Sequence, residues 1–269
     1  MLKNKIMNNT VLFTIRCISN LHVGSGQSDD TAIDKIVQRD PISKFPCIHA
    51  SSLKGAIREY LTNTLDAKDF LETKDTLEAK NRLLVTWFGS EKNEKENLKQ
   101  GVLRFTDAQI LLFPARGIEA PYYLTTSQNI IKHFNNANED YEIPFELKLT
   151  NLNKTATAEG VQADLHTCNL FLNKEIVTMN HERTKAIVAD NLPVIARNCL
   201  ENGESVNLWY EEFVPRETIF YFYVVNFNMD EPDNNILLLD FIDKLNGKKL
   251  YIGANNTVGQ GFSLISKIA

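Results

Sequence analysis

The chain has 269 residues, of which 43% are apolar and 23% are charged, close to ordinary globular usage. This composition excludes disordered, collagen-like and coiled-coil chains, and no run reaches the roughly 18 apolar residues of a membrane-spanning helix. The 29 basic and 34 acidic residues give a net charge of −5, whereas nucleic-acid-binding domains are usually basic. That balance argues against a broad basic footprint and allows a narrow basic track. The N-terminus has no signal-peptide pattern, so we expect a soluble, cytoplasmic protein without membrane contact.

The first part of the chain predicts a strand followed by an amphipathic helix. Residues 11–19 are rich in β-branched side chains and partly alternate, which is typical of a strand. The helix is expected to begin at Ser51 or Ser52. Apolar residues then recur at helical spacing: Leu53, Ala56, Ile57, Tyr60 and Leu61. Residues 66–100 are a charged insertion, in which we expect residues 66–82 to be helical or loop-like and residues 90–100 to be a solvated polar run.

The middle of the chain predicts a strand, a helix and a second insertion. Residues 102–113 are strand material that ends at Pro114, and residues 126–134 suit a helix capped by Thr125 or Thr126. Residues 150–208 have poor periodicity and a high polar content. We therefore expect loops or a hairpin in that stretch, outside the core.

Regular patterns return near the C-terminus. Residues 208–213 and 218–226 predict a hairpin-like pair of strands, and residues 236–245 predict a helix ended by Asn246-Gly247. The remaining short strands cover residues 250–252 and 262–268. This order of elements predicts an α+β fold that is ferredoxin-like in character, forms one domain over the whole chain and has its helices on one face of the sheet.

The start of the first helix poses an electrostatic problem. Lys54 and Arg58 stand four residues apart, and cations near a helix N-terminus oppose the macrodipole. Ser51 and Ser52 add hydroxyl groups beside the free backbone N–H groups of the same end. Helix N-termini bind phosphate, so a bound anion would stabilise this arrangement. The alternative is a solvated helix face with serine as an ordinary cap.

A second candidate site is a glycine-rich loop near the C-terminus. Its sequence is Gly253-Ala254-Asn255-Asn256-Thr257-Val258-Gly259-Gln260-Gly261. The three glycines allow backbone N–H groups to approach a ligand closely. The loop lacks the Lys-Ser/Thr pair of a P-loop, and no long helix follows it. A tight turn between two edge strands would use the same residues, so the pattern leaves both interpretations open.

A third candidate site is an acidic loop that is followed by basic residues. The loop reads Asp29-Asp30-Thr31-Ala32-Ile33-Asp34, and Lys35, Gln38 and Arg39 come directly after it. Carboxylates beside cations suit a site where a divalent metal or a reacting hydroxyl meets a phosphate. The alternative is an acidic loop that is only solvated.

The order of these motifs resembles that of a known family. The chain carries His22-Val23-Gly24-Ser25-Gly26, Ile33-Asp34-x-x-x-Gln38-Arg39-Asp40, Phe45-Pro46-x-Ile48 and Ser51-Ser52-Leu53-Lys54-Gly55-Ala56-x-Arg58. This succession is similar to the N-terminal signature of CRISPR-associated RAMP proteins of the Cas-seven type. Three later segments resemble the backbone subunits of type III-B (Cmr) effector complexes: Asp107-Ala108-Gln109-x-Leu111-Leu112-Phe113-Pro114-Ala115-Arg116, Leu208-Trp209-Tyr210-Glu211-Glu212-x-x-Pro215 and the loop from Gly253 to Gly261. Ala50 departs from the pattern, because the family usually has glycine there.

The resemblance implies an RRM-like palm with inserted fingers and a thumb-like hairpin, the thumb covering about residues 155–206. Copies of such subunits stack along a guide crRNA with other Cmr subunits, and each thumb displaces one nucleotide of the guide–target duplex. A loop aspartate, which is Asp34 here, cuts the target RNA beside each displaced nucleotide. The guide contacts that the resemblance implies are Ser51, Ser52, Lys54, Arg58, Gly253, Asn255, Asn256 and Thr257.

The expected chemistry depends on RNA, which carries its own nucleophile in the 2′-hydroxyl. An exposed aspartate has a pKa of roughly 4, too low for an efficient lone base at neutral pH. We therefore expect Asp34 to bind Mg²⁺ or Mn²⁺, while Lys35 and Arg39 stabilise developing charge. Glu211 or Glu212 is a candidate second acidic ligand.

His22 is a candidate acid for the leaving oxygen, although a histidine after a strand commonly packs or hydrogen-bonds. Two alternatives to a guided nuclease stay open. One is an RNA-binding scaffold without catalysis, in which Asp34 merely caps a loop. The other is a stand-alone guide-processing RNase of the Cas-six type, which would be expected to have a more glycine-dense C-terminal loop and a histidine-based site.

Overall fold

The computed structural model describes residues 9–26, 32–65, 76–90, 98–171, 174–227 and 233–269. Its strands are β1 Thr10–Cys17, β2 Leu103–Phe105, β3 Gln109–Arg116, β4 Tyr122–Ser127, β5 Leu149–Ala158, β6 Val161–Cys168, β7 Ile176–Met179, β8 Val194–Glu201, β9 Glu204–Glu212, β10 Ile219–Asn226, β11 Lys249–Tyr251 and β12 Phe262–Lys267. Its helices are α1 Ala50–Thr64, α2 Thr76–Phe88, α3 Gln128–Asp140, α4 His181–Asp190 and α5 Asp233–Leu245. None of these helices combines the length and apolar character needed to cross a membrane.

The centre of the molecule is a β-α-β-β-α-β unit made of β1, α1, β3, β10, α5 and β12. Its strands lie in the order β12-β1-β10-β3, and each neighbouring pair is antiparallel. This arrangement is the ferredoxin-like split βαβ motif, so the predicted fold class is confirmed. We call this unit the palm. The strand predicted at residues 11–19 and the helix predicted to end at Asn246-Gly247 are both present in it.

Aromatic side chains fill the palm core on the face that α1, α2 and α5 cover. The ring of Phe13 in β1 stacks on that of Phe222 in β10, with 5.4 Å between centroids. Phe241 of α5 and Trp87 of α2 meet edge to face at 5.5 Å. The opposite face is also covered, because Phe134 of α3 packs against Tyr221 at 4.7 Å. The expectation of helices on one face only is therefore wrong.

The sheet continues beyond β3 through β4, β7, β6 and β5. Leu165 and Val177 of these strands are buried in the main core, together with Ile187 and Val188 of α4. The expectation that residues 150–208 lie outside the core is thus wrong for most of this stretch. These strands have little periodicity in the sequence, because half of the positions in β5 are exposed and polar and few apolar residues alternate with them.

The strands β8 and β9 form a separate two-stranded hairpin, which we call the hairpin. Asn202 and Gly203 connect them, and both have positive φ angles of 53° and 89°. Such a turn favours Asn-Gly and is a strong hairpin signal that our sequence prediction did not use. The predicted pairing of residues 208–213 with 218–226 is wrong, because β9 pairs with β8 whereas β10 pairs inside the palm.

Three element boundaries also differ from the prediction. Strand β3 runs through Pro114 to Arg116, which is tolerated because β10 pairs with β3 only as far as Leu112. Helix α3 begins at Gln128, and its cap is Ser127, whose Oγ accepts a hydrogen bond from the N–H of Ile130. The predicted charged insertion lies partly outside the described residues, and α2 occupies the part from 76 to 88.

Candidate active site

Backbone contacts bring three sequence-predicted segments together beside the base of the hairpin. Residues 21–24 pair with two partners, since Leu21 forms a bridge with Val214 and Gly24 forms one with Val37. The glycine-rich loop joins them through the N–H of Ala254, which donates to the carbonyl of His22 at 2.9 Å. The acidic loop, the segment after β1 and the glycine-rich loop are therefore neighbours in space, although they are far apart in the sequence.

Asp34 lies exposed at this junction and is held by the hairpin backbone. Its Oδ2 accepts a hydrogen bond from the N–H of Tyr210 at 2.7 Å. The N–H of Lys35 donates to the carbonyl of Tyr210 at 3.1 Å, and the N–H of Glu212 donates to the carbonyl of Lys35 at 2.9 Å. The Asp34–Lys35 segment thus lies along the edge of β9 like a short third strand. Asp29 and Asp30 lie outside the described residues.

Glu211 is a buried carboxylate beside this segment, with only 2% of the residue exposed. Four donors reach it: Lys35 Nζ and Trp209 Nε1 at 2.9 and 2.7 Å on Oε1, and Arg197 Nε and Asn255 Nδ2 at 3.2 and 2.7 Å on Oε2. Burial would raise the pKa of Glu211, but the hydrogen bonds from these donors outweigh it and lower the pKa to about 2. Glu211 is therefore ionised at neutral pH.

Lys35 is the cation nearest to Asp34 in the chain, and two groups fix its ammonium. Nζ lies 2.9 Å from Glu211 Oε1 and 5.2 Å from the centroid of the Trp209 ring. A cation over an indole face is attracted by the ring quadrupole. Its side chain is still 53% exposed, so the ammonium is open to solvent and to a ligand. Trp209 was quoted in the sequence motif but was not predicted as a site residue.

Glu212 and Arg39 form a second ion pair beside that of Glu211 and Lys35. Arg39 Nη1 and Nη2 donate to the two carboxylate oxygens of Glu212 at 2.8 and 2.7 Å, and the N–H of Val37 adds a bond of 3.0 Å. The hydrogen bonds from Arg39 to Glu212 raise the pKa of the Arg39 guanidinium. Both oxygens of Glu211 and of Glu212 are engaged, so the expected role of either as a second metal ligand has no geometric support.

His22 is buried beside the base of the hairpin. Its Nδ1 lies 2.7 Å from the carbonyl oxygen of Glu212, so this nitrogen carries the hydrogen and donates it. The ring also packs against Phe213, with 5.4 Å between centroids. With 4% of the residue exposed, His22 has the packing and hydrogen-bonding role that was the alternative to acid catalysis.

The described residues could hold a divalent ion only if bound RNA supplied some of its ligands. Within the described ranges, no group of three or more His, Cys, Asp or Glu side chains is placed to hold a metal. Mg²⁺ commonly takes one or two carboxylates together with substrate phosphates and water. The single exposed carboxylate of Asp34 fits that arrangement, in which RNA supplies most of the other oxygen ligands.

The N-terminus of α1 differs from the predicted phosphate site. The helix begins at Ala50, one or two residues earlier than expected, and His49 provides no side-chain cap. The N–H of Ala50 donates to Asp107 Oδ1 at 2.7 Å, and the N–H of His49 donates to Gln38 Oε1 at 2.7 Å. A carboxylate of the chain itself therefore occupies part of the predicted anion position, and neither predicted serine is the cap.

Gln38 links this helix start to the segment after β1. Its Nε2 donates to Ser52 Oγ at 3.1 Å and to the carbonyl of Gly24 at 3.2 Å. The residue is buried. It is part of a sequence motif and follows the acidic loop, but it was not predicted as a site residue. Ser51, in contrast, is exposed at the first turn.

Three cations gather beside α1. Burial lowers the pKa of Lys54, and the neighbouring charges of Arg104 and Arg58 lower it further. Arg104 belongs to β2 and was not predicted as a site residue. Its guanidinium lies 5.3 Å from the centroid of the Phe227 ring and also donates to the carbonyl of Gly101. Like charges at this spacing repel one another, so the cluster favours an anionic ligand.

Close packing within the chain requires glycine at two positions of the glycine-rich loop. A Cβ atom at Gly253 would lie 2.3 Å from the carbonyl oxygen of His22, and one at Gly261 would lie 2.2 Å from that of Ile252. Tight packing of the loop against its own chain therefore explains these two positions. Asn255 has a left-handed φ of 65° and donates to Glu211, whereas Thr257 is exposed.

The fold and the site together define a class of protein. Residues 14–264 match the model of the RAMP superfamily, and the chain belongs to this family.

Three comparisons are more specific. The chain is 28% identical over 281 residues to the CRISPR system Cmr endoribonuclease Cmr4 of Pyrococcus furiosus, covering 90% of each protein. Its fold matches a subunit in the cryo-EM structure of type III-B Cmr-beta bound to cognate target RNA, with a TM-score of 0.73, 20% identity and 96% of both chains covered. It also matches the crystal structure of oligomeric Cmr4 from Pyrococcus furiosus, with a TM-score of 0.70, 19% identity and 96% and 98% coverage. The resemblance inferred from the sequence motifs is confirmed.

Proposed function

We propose that this chain is a backbone subunit of a type III-B Cmr effector complex, in which it binds guide crRNA and cleaves target RNA through Asp34. Its partners are further copies of itself and other Cmr subunits. The observation that carries the proposal is the exposed carboxylate of Asp34, which the hairpin backbone holds beside Lys35. Glu211 links Lys35 to Asn255 of the glycine-rich loop. The endoribonuclease name of the Pyrococcus furiosus relative supports it.

The guide contacts are proposed on the cation cluster and the glycine-rich loop. Lys54, Arg58 and Arg104 supply positive charge for the phosphate backbone on a chain whose net charge is negative. In the loop, the Oδ1 of Asn256 is buried and has no hydrogen-bond partner among the described residues. Because this oxygen is closed to solvent, RNA could reach it only after the Asn256 side chain turned outward, and a ribose 2′-hydroxyl could then donate to it. The exposed Thr257 is a further polar contact.

The thumb is proposed to be the β8–β9 hairpin, which is shorter than the stretch 155–206 inferred from the sequence. It exposes large side chains, which are Val194, Leu200, Val206, Leu208 and Tyr210. Apolar side chains can insert between bases and unstack them. A hairpin that displaces one nucleotide would leave the adjacent phosphate close to Asp34, because Asp34 is bound to the backbone of Tyr210.

The chain's residues would assist attack by the 2′-hydroxyl of the target on the adjacent phosphorus. A new P–O2′ bond forms while the P–O5′ bond breaks, and the proton lost from O2′ is balanced by one delivered to O5′. Splaying the strand aligns these atoms for in-line attack. Lys35 stabilises the extra negative charge on the phosphorane. Asp34 would hold Mg²⁺ or Mn²⁺, and the bound ion would supply further positive charge at the phosphate.

The test compares the wild type with Asp34→Asn in a complex reconstituted with guide RNA and end-labelled target. Asparagine keeps an oxygen acceptor for the Tyr210 N–H but removes the charge. We expect evenly spaced cuts in Mg²⁺ for the wild type, and none for the variant or in EDTA, with target binding retained. Asp164→Asn removes an exposed carboxylate in β6 and serves as the matched control, which should cut normally. Tight binding without cuts in the wild type would contradict catalysis and favour the scaffold alternative.

A further inference from the structure

The carboxylate of Glu211 connects parts of the molecule that have different proposed roles. Lys35 follows the proposed catalytic residue Asp34, and Asn255 precedes the proposed guide contacts Asn256 and Thr257. The other two donors, Trp209 and Arg197, belong to the two strands of the hairpin. One buried side chain therefore contacts the Asp34–Lys35 segment, the glycine-rich loop and both strands of the hairpin.

The bonding of this carboxylate is complete. An ionised carboxylate offers about four lone-pair positions, and four donors fill them here. A buried anion needs such pairing, and removal of its charge leaves the cations of Lys35 and Arg197 without their counterion. The donors come from separate segments of the chain, so none of these segments can shift by itself without breaking a bond to Glu211.

Backbone N–H groups on either side of Glu211 also hold the Asp34–Lys35 segment. The N–H of Tyr210 binds the Asp34 carboxylate, and the N–H of Glu212 binds the carbonyl of Lys35. A displacement of Glu211 would carry both of these N–H groups with it. The position of the Asp34 carboxylate thus depends on the position of Glu211, which also binds the glycine-rich loop.

We propose that Glu211 is a positioning residue that couples the glycine-rich loop to the Asp34–Lys35 segment, so that guide RNA seated on the loop fixes the cleavage geometry. The inference rests on the proposed function. It assigns no contact between Glu211 and the RNA, and it replaces the role of Glu211 as a metal ligand. Asn255 is the second residue of the coupling, because its side-chain amide donates the hydrogen bond that joins the glycine-rich loop to Glu211.

The first test is Glu211→Gln in the reconstituted complex, with single-turnover cleavage and target affinity measured on the same preparation. We expect cleavage to fall about a hundredfold, as small misplacements of reacting groups can cost that much. Target affinity should stay within about threefold of the wild type, because RNA contacts supply the binding energy. Glu159→Gln is the matched control, since Glu159 is also largely buried and is paired with Arg116 at another place in the fold. Equal losses of cleavage and binding would overturn the proposal.

The second test does not depend on the buried charge. Asn255→Gly removes the bond to Glu211 while glycine accepts the positive φ angle at this position. We expect cleavage to fall about tenfold when every complex carries guide, so that the loss reflects the missing bond to Glu211 and not incomplete guide binding. The double variant Asn255→Gly, Glu211→Gln should lose no more than Glu211→Gln, because both remove the same link. Additive losses, or lower guide affinity as the main effect of Asn255→Gly, would contradict the coupling.

The design separates failure of this inference from failure of the proposed function. Wild type and Asp34→Asn are run beside the Glu211 and Asn255 variants. If the wild type does not cut, the proposed nuclease function fails. If the wild type cuts, Asp34→Asn does not, and Glu211→Gln cuts at the wild-type rate, then the nuclease stands and the positioning role of Glu211 is wrong.

Discussion

The palm and the hairpin are held in place by different physical means. In β10 of the palm every residue except Val225 is buried, and its phenylalanines pack against β1 and α5. In β8 of the hairpin every residue except Arg197 is exposed. At its base the hairpin joins the rest of the described chain through the ion pairs Lys35–Glu211 and Arg39–Glu212 and through hydrogen bonds between β9 and residues 34–35. Apolar burial fixes the palm, whereas ion pairs and hydrogen bonds fix the hairpin.

This difference explains where the candidate site lies. Apolar packing is non-directional and supplies most of the stability of a fold. Hydrogen-bonded ion pairs contribute less net stability but impose definite geometry on the groups that they join. Asp34 and Lys35 lie at the contact between the two regions, where the rigid palm gives support and the charged contacts of Glu211 give orientation.

The largest expected effect is on the palm. Phe222→Ala removes a fully buried ring from the stack with Phe13, and we expect a loss of about 3–5 kcal/mol in the free energy of unfolding. Leu208→Ala on the hairpin removes a side chain that is 54% exposed, and its effect should stay within about 0.5 kcal/mol. Urea unfolding of the purified chain measures both. Similar losses for the two variants would break the distinction between palm and hairpin.

The next effect concerns the base of the hairpin and depends on pH. The folded pKa of Glu211, about 2, lies below its ordinary value of 4.5. Its contribution to stability is therefore fully present above pH 4.5 and is lost as the pH falls toward 2. The linked contribution is at most about 3 kcal/mol. We expect the stability difference between wild type and Glu211→Gln to shrink across this window, measured by thermal unfolding at successive pH values. A stability difference that stays constant from pH 5 to pH 2.5 would contradict an ionised, hydrogen-bonded Glu211 in the folded protein.

The palm was largely predictable from the sequence, and the reason is local. The run of β-branched residues in β1 and the helical spacing of Leu53, Ile57 and Leu61 reflect burial that each element shows by itself. Strands β5 and β6 were missed, because their exposed faces are polar and only a few residues such as Leu165 enter the core. Their pairing depends on partners that are distant in the sequence, and no local pattern reveals it.

The candidate site was predictable in its residue types but not in its contacts. Asp34, Lys35, Glu211 and the glycine-rich loop were all identified, but as separate motifs. The convergence of four donors on Glu211 depends on how β9 lies beside residues 34–35. For the same reason, sequence alone could not show that both oxygens of Glu211, a candidate metal ligand, accept hydrogen bonds from other side chains. Trp209 gave no signal beyond its place in the motif.

The smallest expected effect compares two glycines that share a backbone conformation. Gly203 at the hairpin turn and Gly247 after α5 have φ angles of 89° and 71°, and a Cβ atom at either would meet nothing within 4 Å. Alanine therefore costs each site only the left-handed conformation, about 1 kcal/mol. Because the palm unfolds as a unit, Gly247→Ala should lower the global free energy of unfolding by that amount.

In Gly203→Ala the same cost should appear as local opening, since the hairpin buries little surface and can open without the palm. We expect hydrogen exchange of the β8 and β9 amides to become about fivefold faster, which corresponds to about 1 kcal/mol. Exchange in β1 and β10 should change little. If Gly203→Ala instead accelerated exchange in β10, the hairpin and the palm would be one cooperative unit, and the hairpin could not move over RNA independently of the palm.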